Sequence, residues 1–249
     1  MRKVDFSRFE LFPAPAKPHV GNMTRIIPVL LMVAYALLSL QFSLWRTKKT
    51  LDANSAPLQD RDLLALTKRM AAALDVPEIK VNLFKIDAVN GLAAPDGRIF
   101  LTSGFLARKA AGEVSDEELA SVIAHELGHV ALGHSRRRMI DFAGQNTVFL
   151  LLSAMLNRFV PFVGVWIARI ISTALMARLS RRDEFEADAW ASALLIKSGI
   201  GTAPQKALFR KLGGLTGGAG HGIPAWMLSH PAADDRIAAI EANEARWLG

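Results

Sequence analysis

Apolar residues fall along this chain in three patterns. The first is an unbroken run: residues 26–45 carry no charge over 20 positions, long enough as a helix to cross the ~30 Å hydrocarbon layer of a bilayer. Arg25 and Arg46 bracket it, and Tyr35 and Trp45 lie within it. The run is longer than the core of a cleaved signal peptide and no small-residue cleavage site follows it, so it predicts a retained transmembrane anchor. Residues 1–25 are polar and Pro-rich and read as a flexible arm. Basic residues flank the run on both sides, which leaves its orientation open.

The second pattern is globular and occupies 56–249. Residues 59–74 place apolar side chains at helical spacing. Two strand-like runs follow, 79–87 and 98–102, with Asp96-Gly97 as a hairpin turn. Residues 103–111 predict a short helix. Ser115 and Glu118 form a capping box that opens a helix running to about His134. A helix restarts at Asp183 and stops at Gly199. Residues 213–222 are a Gly-rich loop, and His230-Pro231 precede a last helix over 232–247. The third pattern is a second apolar region, 139–177, split by Asn157-Arg158 and Pro161 into two arms. It reads equally as a membrane hairpin or as a partly inserted helical pair; Arg169 sits mid-arm, where a charge facing lipid is costly.

Composition sharpens this. The chain has 249 residues, 51% hydrophobic, a net charge of +7 and no cysteine, with a mean hydropathy of +0.23. Disulfides, thiolate metal sites and thiol nucleophiles are excluded. The charge is not spread like a nucleic-acid surface. Residues 136–182 hold eight arginines, no lysine and one acid, Asp141, leaving 22 basic and 22 acidic residues elsewhere. These arginines flank the apolar region, as a collar facing anionic lipid would. No nucleic-acid partner is expected.

The candidate chemistry lies in His125-Glu126-Leu127-Gly128-His129. On a helix, His125 and His129 project from one face a turn apart, within reach of one Zn²⁺. Glu126 then touches a metal-held water and not the metal. A third ligand and an open position are required. The spacing that would give a third histidine falls on Ser135. His134 points to another face and reads as structural or as a support behind the ligands. A downstream carboxylate remains: Glu184 and Asp188 share a helix face, while Glu186 points elsewhere. One of the pair can bind metal while the other hydrogen-bonds a ligating imidazole.

These motifs resemble the HtpX-like and CAAX-prenyl-protease family of integral-membrane zinc metallopeptidases, over about residues 58–245. HELGH followed by Gly133-His134 is similar to that family's zinc helix, and residues 181–188 to its second signature. The resemblance implies Glu184 as the third metal ligand and Asp188 as the support of a ligating histidine. Ser229-His230-Pro231 with Arg236 is similar to a third signature, which implies His230 and Arg236 at the active site, near the tetrahedral intermediate. Asn90 and the run through Arg98, Ile99, Phe100 and Leu101 resemble the family's substrate-binding edge strand. The implied fold is α+β: a mainly helical zincin-like domain with a small β-hairpin or sheet, beside the N-terminal anchor and the apolar helical hairpin. The implied function is a membrane zinc endopeptidase with one Zn²⁺ per chain, acting on polypeptides in quality control, in a bacterial inner membrane. The competing class is a catalytically idle membrane scaffold or chaperone using the same cleft.

Overall fold

The computed structural model describes residues 23–94, 96–134, 137, 149, 152–153, 155–160, 163–216 and 233–249. The chain divides into two units, Met1–Phe42 and Ser43–Gly249. The described part of the first is the beginning of helix α1 (Met23–Asn54). It exposes Leu30, Leu31, Leu37, Leu38 and Phe42. Among the described residues, no helix is long and apolar enough to cross a membrane.

The second unit contains strand β1 (Ser55–Pro57), α2 (Arg61–Leu74), β2 (Val81–Phe84), β3 (Gly91–Ala93), β4 (Ile99–Thr102), α3 (Ser103–Ala110), α4 (Asp116–Ala131), α5 (Gly164–Lys197), α6 (Ala203–Thr216) and α7 (Ala233–Leu248). Local chemistry sets several of these bounds. Asp60 caps α2 by accepting from the Leu63 amide. Ser115 and Glu118 exchange side-chain-to-backbone hydrogen bonds at the start of α4, the capping box expected from sequence.

The sheet has the order β1-β2-β4-β3. β3 and β4 form the hairpin around Asp96-Gly97, closed by the Gly97 amide donating to the Ala94 carbonyl at 3.0 Å. The run at 79–87 is not the hairpin partner: its strand β2 pairs with β4 in parallel. β3 has three residues, two of them small, too few to display an alternating pattern.

Helix α4 is the centre of the unit. From Glu118 to His129 every residue but Leu127 is buried, and the helix packs on α2, α5, α6, β3 and β4. Its apolar partners include Leu63, Met70, Ile99, Phe105, Leu195, Leu208 and Ile240. The sequence pattern places a helix start at Asp183; α5 instead runs without a break from Gly164, about 51 Å at 1.5 Å per residue. The segment 213–222 is helical through Thr216, and its remainder lies outside the described residues.

Helices α4 and α5 meet at Gly128. A Cβ on Gly128 would stand 2.9 Å from the Ala187 carbonyl oxygen and 3.1 Å from its Cα. The obstacle is backbone, so it cannot swing aside. Gly128→Ala is therefore expected to push the helices apart and destabilise the fold by ~1–3 kcal/mol, the usual cost of overpacking. Urea unfolding measures this; an unchanged midpoint would mean that the crossing is not tight.

Candidate metal centre

Each of the crossing helices supplies part of one buried cluster. His125 and His129 lie one turn apart on α4 and bring their Nε2 atoms to 3.1 Å. Glu184 on α5 faces both: its Oε2 lies 3.3 Å from His125 Nε2, and its Oε1 lies 3.4 Å from His129 Nε2. Glu184 is fully buried. These three side chains can converge on one metal ion. Their separations supply a direct test of fit. A tetrahedral ion with bonds of ~2.0–2.1 Å holds its ligands ~3.3–3.4 Å apart; the two imidazole nitrogens stand slightly closer, at 3.1 Å, and Glu184 lies 3.3 and 3.4 Å from them through its two different oxygens. Two imidazoles and one carboxylate are also a donor set of catalytic zinc sites, which keep a fourth position open. His125, His129 and Glu184 are thus together, as expected, and Glu186 is outside the trio.

Behind His125 stands a polar column. Its Nδ1 lies 2.9 Å from Asp188 Oδ1. Asp188 in turn accepts from Arg236 Nε and Nη2, at 2.6 Å each. The Arg236 guanidinium lies 4.1 Å over the Phe209 ring and is 1% exposed. Ser192 Oγ and Gln205 Nε2 donate to the Asp188 carbonyl. Burial works to raise the Asp188 pKa, but the Arg236 charge and the hydrogen bonds from Arg236 and His125 hold it below the ordinary carboxylate value. Asp188 thus occupies the expected supporting place. Arg236 sits on the Nδ1 side of His125, with its Nε and Nη2 on Asp188 and its Nη2 also 4.0 Å from Glu184 Oε2. Ser192, Gln205 and Phe209 carry no sequence signal, because a Ser, a Gln and a Phe on amphipathic helices look like any others.

His129 is supported differently. Its Nδ1 lies 3.0 Å from Nδ1 of His134. His134 is fully buried, and its Nε2 lies 3.3 Å from Glu186 Oε2 and 3.7 Å from Asp183 Oδ1. Burial holds the His134 pKa below its ordinary value, partly offset by the Asp183 charge.

The expected substrate strand needs correction. Ile99, Phe100 and Leu101 are fully buried in β4, with β2 on one side and β3 on the other. No edge remains there for strand addition. Arg98 bonds Asp96 and Asp52 and ties the hairpin to α1. Among the described residues the edge beside α4 belongs to β3. A Cβ on its Gly91 would lie 3.4 Å from Glu126 Oε1, so β3 passes directly over the candidate base. Asn90 leads into this strand; its Oδ1 is buried with no hydrogen-bond partner among the described residues. His230 lies outside the described residues.

The sequence model of peptidase family M48 matches residues 57–244. The chain is 27% identical over 248 residues to Protease HtpX of Pseudomonas aeruginosa (strain LESB58), covering 84% of this chain and 83% of that protein. It is 26% identical over 245 residues to Protease HtpX of Thioalkalivibrio sulfidiphilus, covering 84% and 81%. Metalloprotease YcaL of Escherichia coli (strain K12) is 27% identical over 184 residues, covering 74% and 69%.

The cluster has a pH signature when metal is absent. Burial disfavours charge on His125, but hydrogen bonds to Asp188 and Glu184 outweigh it and raise the pKa from 6.5 to about 9. A raised folded value stabilises the fold fully below the unfolded pKa and loses that stabilisation as pH climbs through the folded one. Metal-free protein should therefore lose stability between pH 6.5 and 9 more steeply than metal-free His125→Gln. Denaturant unfolding across this range checks it, and parallel profiles would contradict it.

Proposed function

The chain belongs to peptidase family M48 and is a protease; from this premise we propose that it is a membrane-anchored, zinc-dependent endopeptidase acting on unfolded or membrane polypeptides. One observation carries the reading: His125, His129 and Glu184, from two helices, converge at ligand-to-ligand distances. Two imidazoles and a glutamate are a donor set of catalytic zinc sites, and an acid directly beside the first histidine, Glu126, is the arrangement of zinc hydrolases.

His125, His129 and Glu184 would hold a zinc ion, which would supply Lewis acidity and lower the pKa of water toward neutrality. The remaining work belongs to the protein. Glu126, buried on the same helix, takes a proton from the attacking water at its carboxylate and later returns it to the leaving amine. Asp188 accepts from His125 Nδ1, which keeps Nε2 unprotonated and facing Glu184. The edge of β3 receives an extended substrate backbone by strand addition, which lays the scissile bond beside Glu126. Strand addition reads backbone more than side chains, which suits unfolded substrates. With Arg236 bonded to Asp188, His230 is the remaining candidate for contact with the oxyanion.

Anchoring is proposed through residues 26–45, of which Leu30, Leu31, Leu37, Leu38 and Phe42 on α1 are exposed. A second apolar surface, within residues 155–160 and 163–171, is proposed to meet lipid. It exposes Met155, Phe159, Trp166 and Ile170, and Arg158 and Arg169 lie among them. Family resemblance favours a bacterial inner membrane.

Three measurements test these readings. Glu126→Gln should retain zinc and lose casein cleavage by ~10²–10⁴-fold, while Glu184→Ala should lose far more zinc than Glu186→Ala. Wild-type cleavage by Glu126→Gln, or equal zinc content in the two alanine variants, would refute the assignment. For the anchor, Leu31→Arg with Leu38→Arg in the full chain should move the protein from the carbonate-washed membrane pellet to the supernatant; retention in the pellet would count against residues 26–45.

A further inference from the structure

An imidazole that binds a cation through Nε2 must carry its single proton on Nδ1, and a buried Nδ1–H needs an acceptor. For His125 the acceptor is a carboxylate, Asp188. For His129 the neighbour at Nδ1 is another imidazole, that of His134, at 3.0 Å. The proton positions then follow without choice. His129 donates from Nδ1, so His134 must accept at its own Nδ1 and hold its proton on Nε2. That atom faces two carboxylates, Glu186 at 3.3 Å and Asp183 at 3.7 Å. Any other arrangement sets two protons or two lone pairs against each other.

We propose that His134 is a positioning residue for the metal centre, fixing the tautomer and ring orientation of His129 through an imidazole–imidazole–carboxylate chain. This rests on the reading that His125, His129 and Glu184 hold the cation. The chain path is built for it. Helix α4 ends at Ala131 with Leu132 as its C-cap, and Gly133 turns the backbone with φ 70°, a conformation that glycine adopts without strain. The turn folds His134 back beneath the last turn of α4, where its side chain is fully buried. The far end is also held: Arg182 Nε donates to Glu186 Oε1 at 2.7 Å and leaves Oε2 toward His134. Arg137 pairs with Asp183 at 3.3 Å. His134, Asp183 and Glu186 are close enough together to be a second metal site. The two arginines already balance the two carboxylates, and the chain uses the His134 Nε2 as a proton donor, so the cluster is assigned to support.

The experiment uses the full chain in detergent, as wild type, His134→Phe and His134→Asn. Asn places Oδ1 where the His134 Nδ1 stands and can accept from His129; Phe cannot. Zinc affinity is measured by competition with a chromophoric chelator, and ligand geometry by the visible bands of the Co²⁺-substituted protein. Wild type should bind one zinc. His134→Phe should bind ~10–100-fold more weakly, the usual cost of losing an outer partner, with altered Co²⁺ bands. His134→Asn should recover most of the affinity and the wild-type bands. Unchanged affinity and bands in His134→Phe, or no recovery in His134→Asn, would overturn the proposal. So would a wild-type stoichiometry of two zinc ions that falls to one in His134→Phe, which would make the cluster a second site. A wild type that binds no zinc would overturn the underlying metal-centre reading instead.

Discussion

The candidate site depends on how closely two helices approach. Its ligands are divided between α4 and α5, so the distance between the two backbones decides whether they converge. Gly128 provides the contact by having no side chain, and Ala187 meets it with its backbone. Glu184 lies three residues before that contact on α5, and His125 and His129 flank it on α4. A short carboxylate arm then reaches both imidazoles. The glycine inside the HELGH segment is thus a packing residue that sets the spacing of the candidate ligands.

Such a crossing buries much charge. Glu126, Asp183, Glu184 and Asp188 are all buried, and unpaired carboxylates in a core are costly. Arg236 answers Asp188 directly and is itself buried over Phe209. For the trio, the counter-charge in the proposed function is the divalent ion, so metal binding and stability of the crossing are linked. The two imidazoles are held from behind by unlike means. His125 leans on a carboxylate fixed by arginine in the core. His129 leans on an imidazole that leads outward to the exposed Arg182. One arm is rigid and dry, and the other ends in solvent.

What could be read from sequence was what is local. The capping box, the two histidines one turn apart and the pairing of Glu184 with Asp188 follow from helix periodicity alone, and each is found where it was expected. Chain topology was less legible. β3 is too short to alternate, and the family resemblance set the edge strand on what is β4, whose apolar run marks an interior strand instead. Asp183-Glu184 resembles the acidic first turn of a helix, yet it lies deep within α5, where the acids serve the site and not a helix dipole. Arg236 was legible as a participant but not as a partner of Asp188, because a bidentate contact across 48 residues leaves no spacing to detect.

The position of β3 joins fold to chemistry. A proteolytic base must stand within hydrogen-bond reach of a water that is also next to the scissile carbonyl, so base and substrate need a common frame. Here α4 is that frame. It carries Glu126, and β3 lies on it so closely that a Cβ on Gly91 would come within 2.6 Å of Val122 and 3.4 Å of Glu126 Oε1. A backbone paired to the β3 edge would be registered against α4 by the same contact that registers β3. In the proposed function, specificity for extended chains and placement of the base would then come from one interface, and the sheet of four short strands would serve to present the β3 edge alongside one helix.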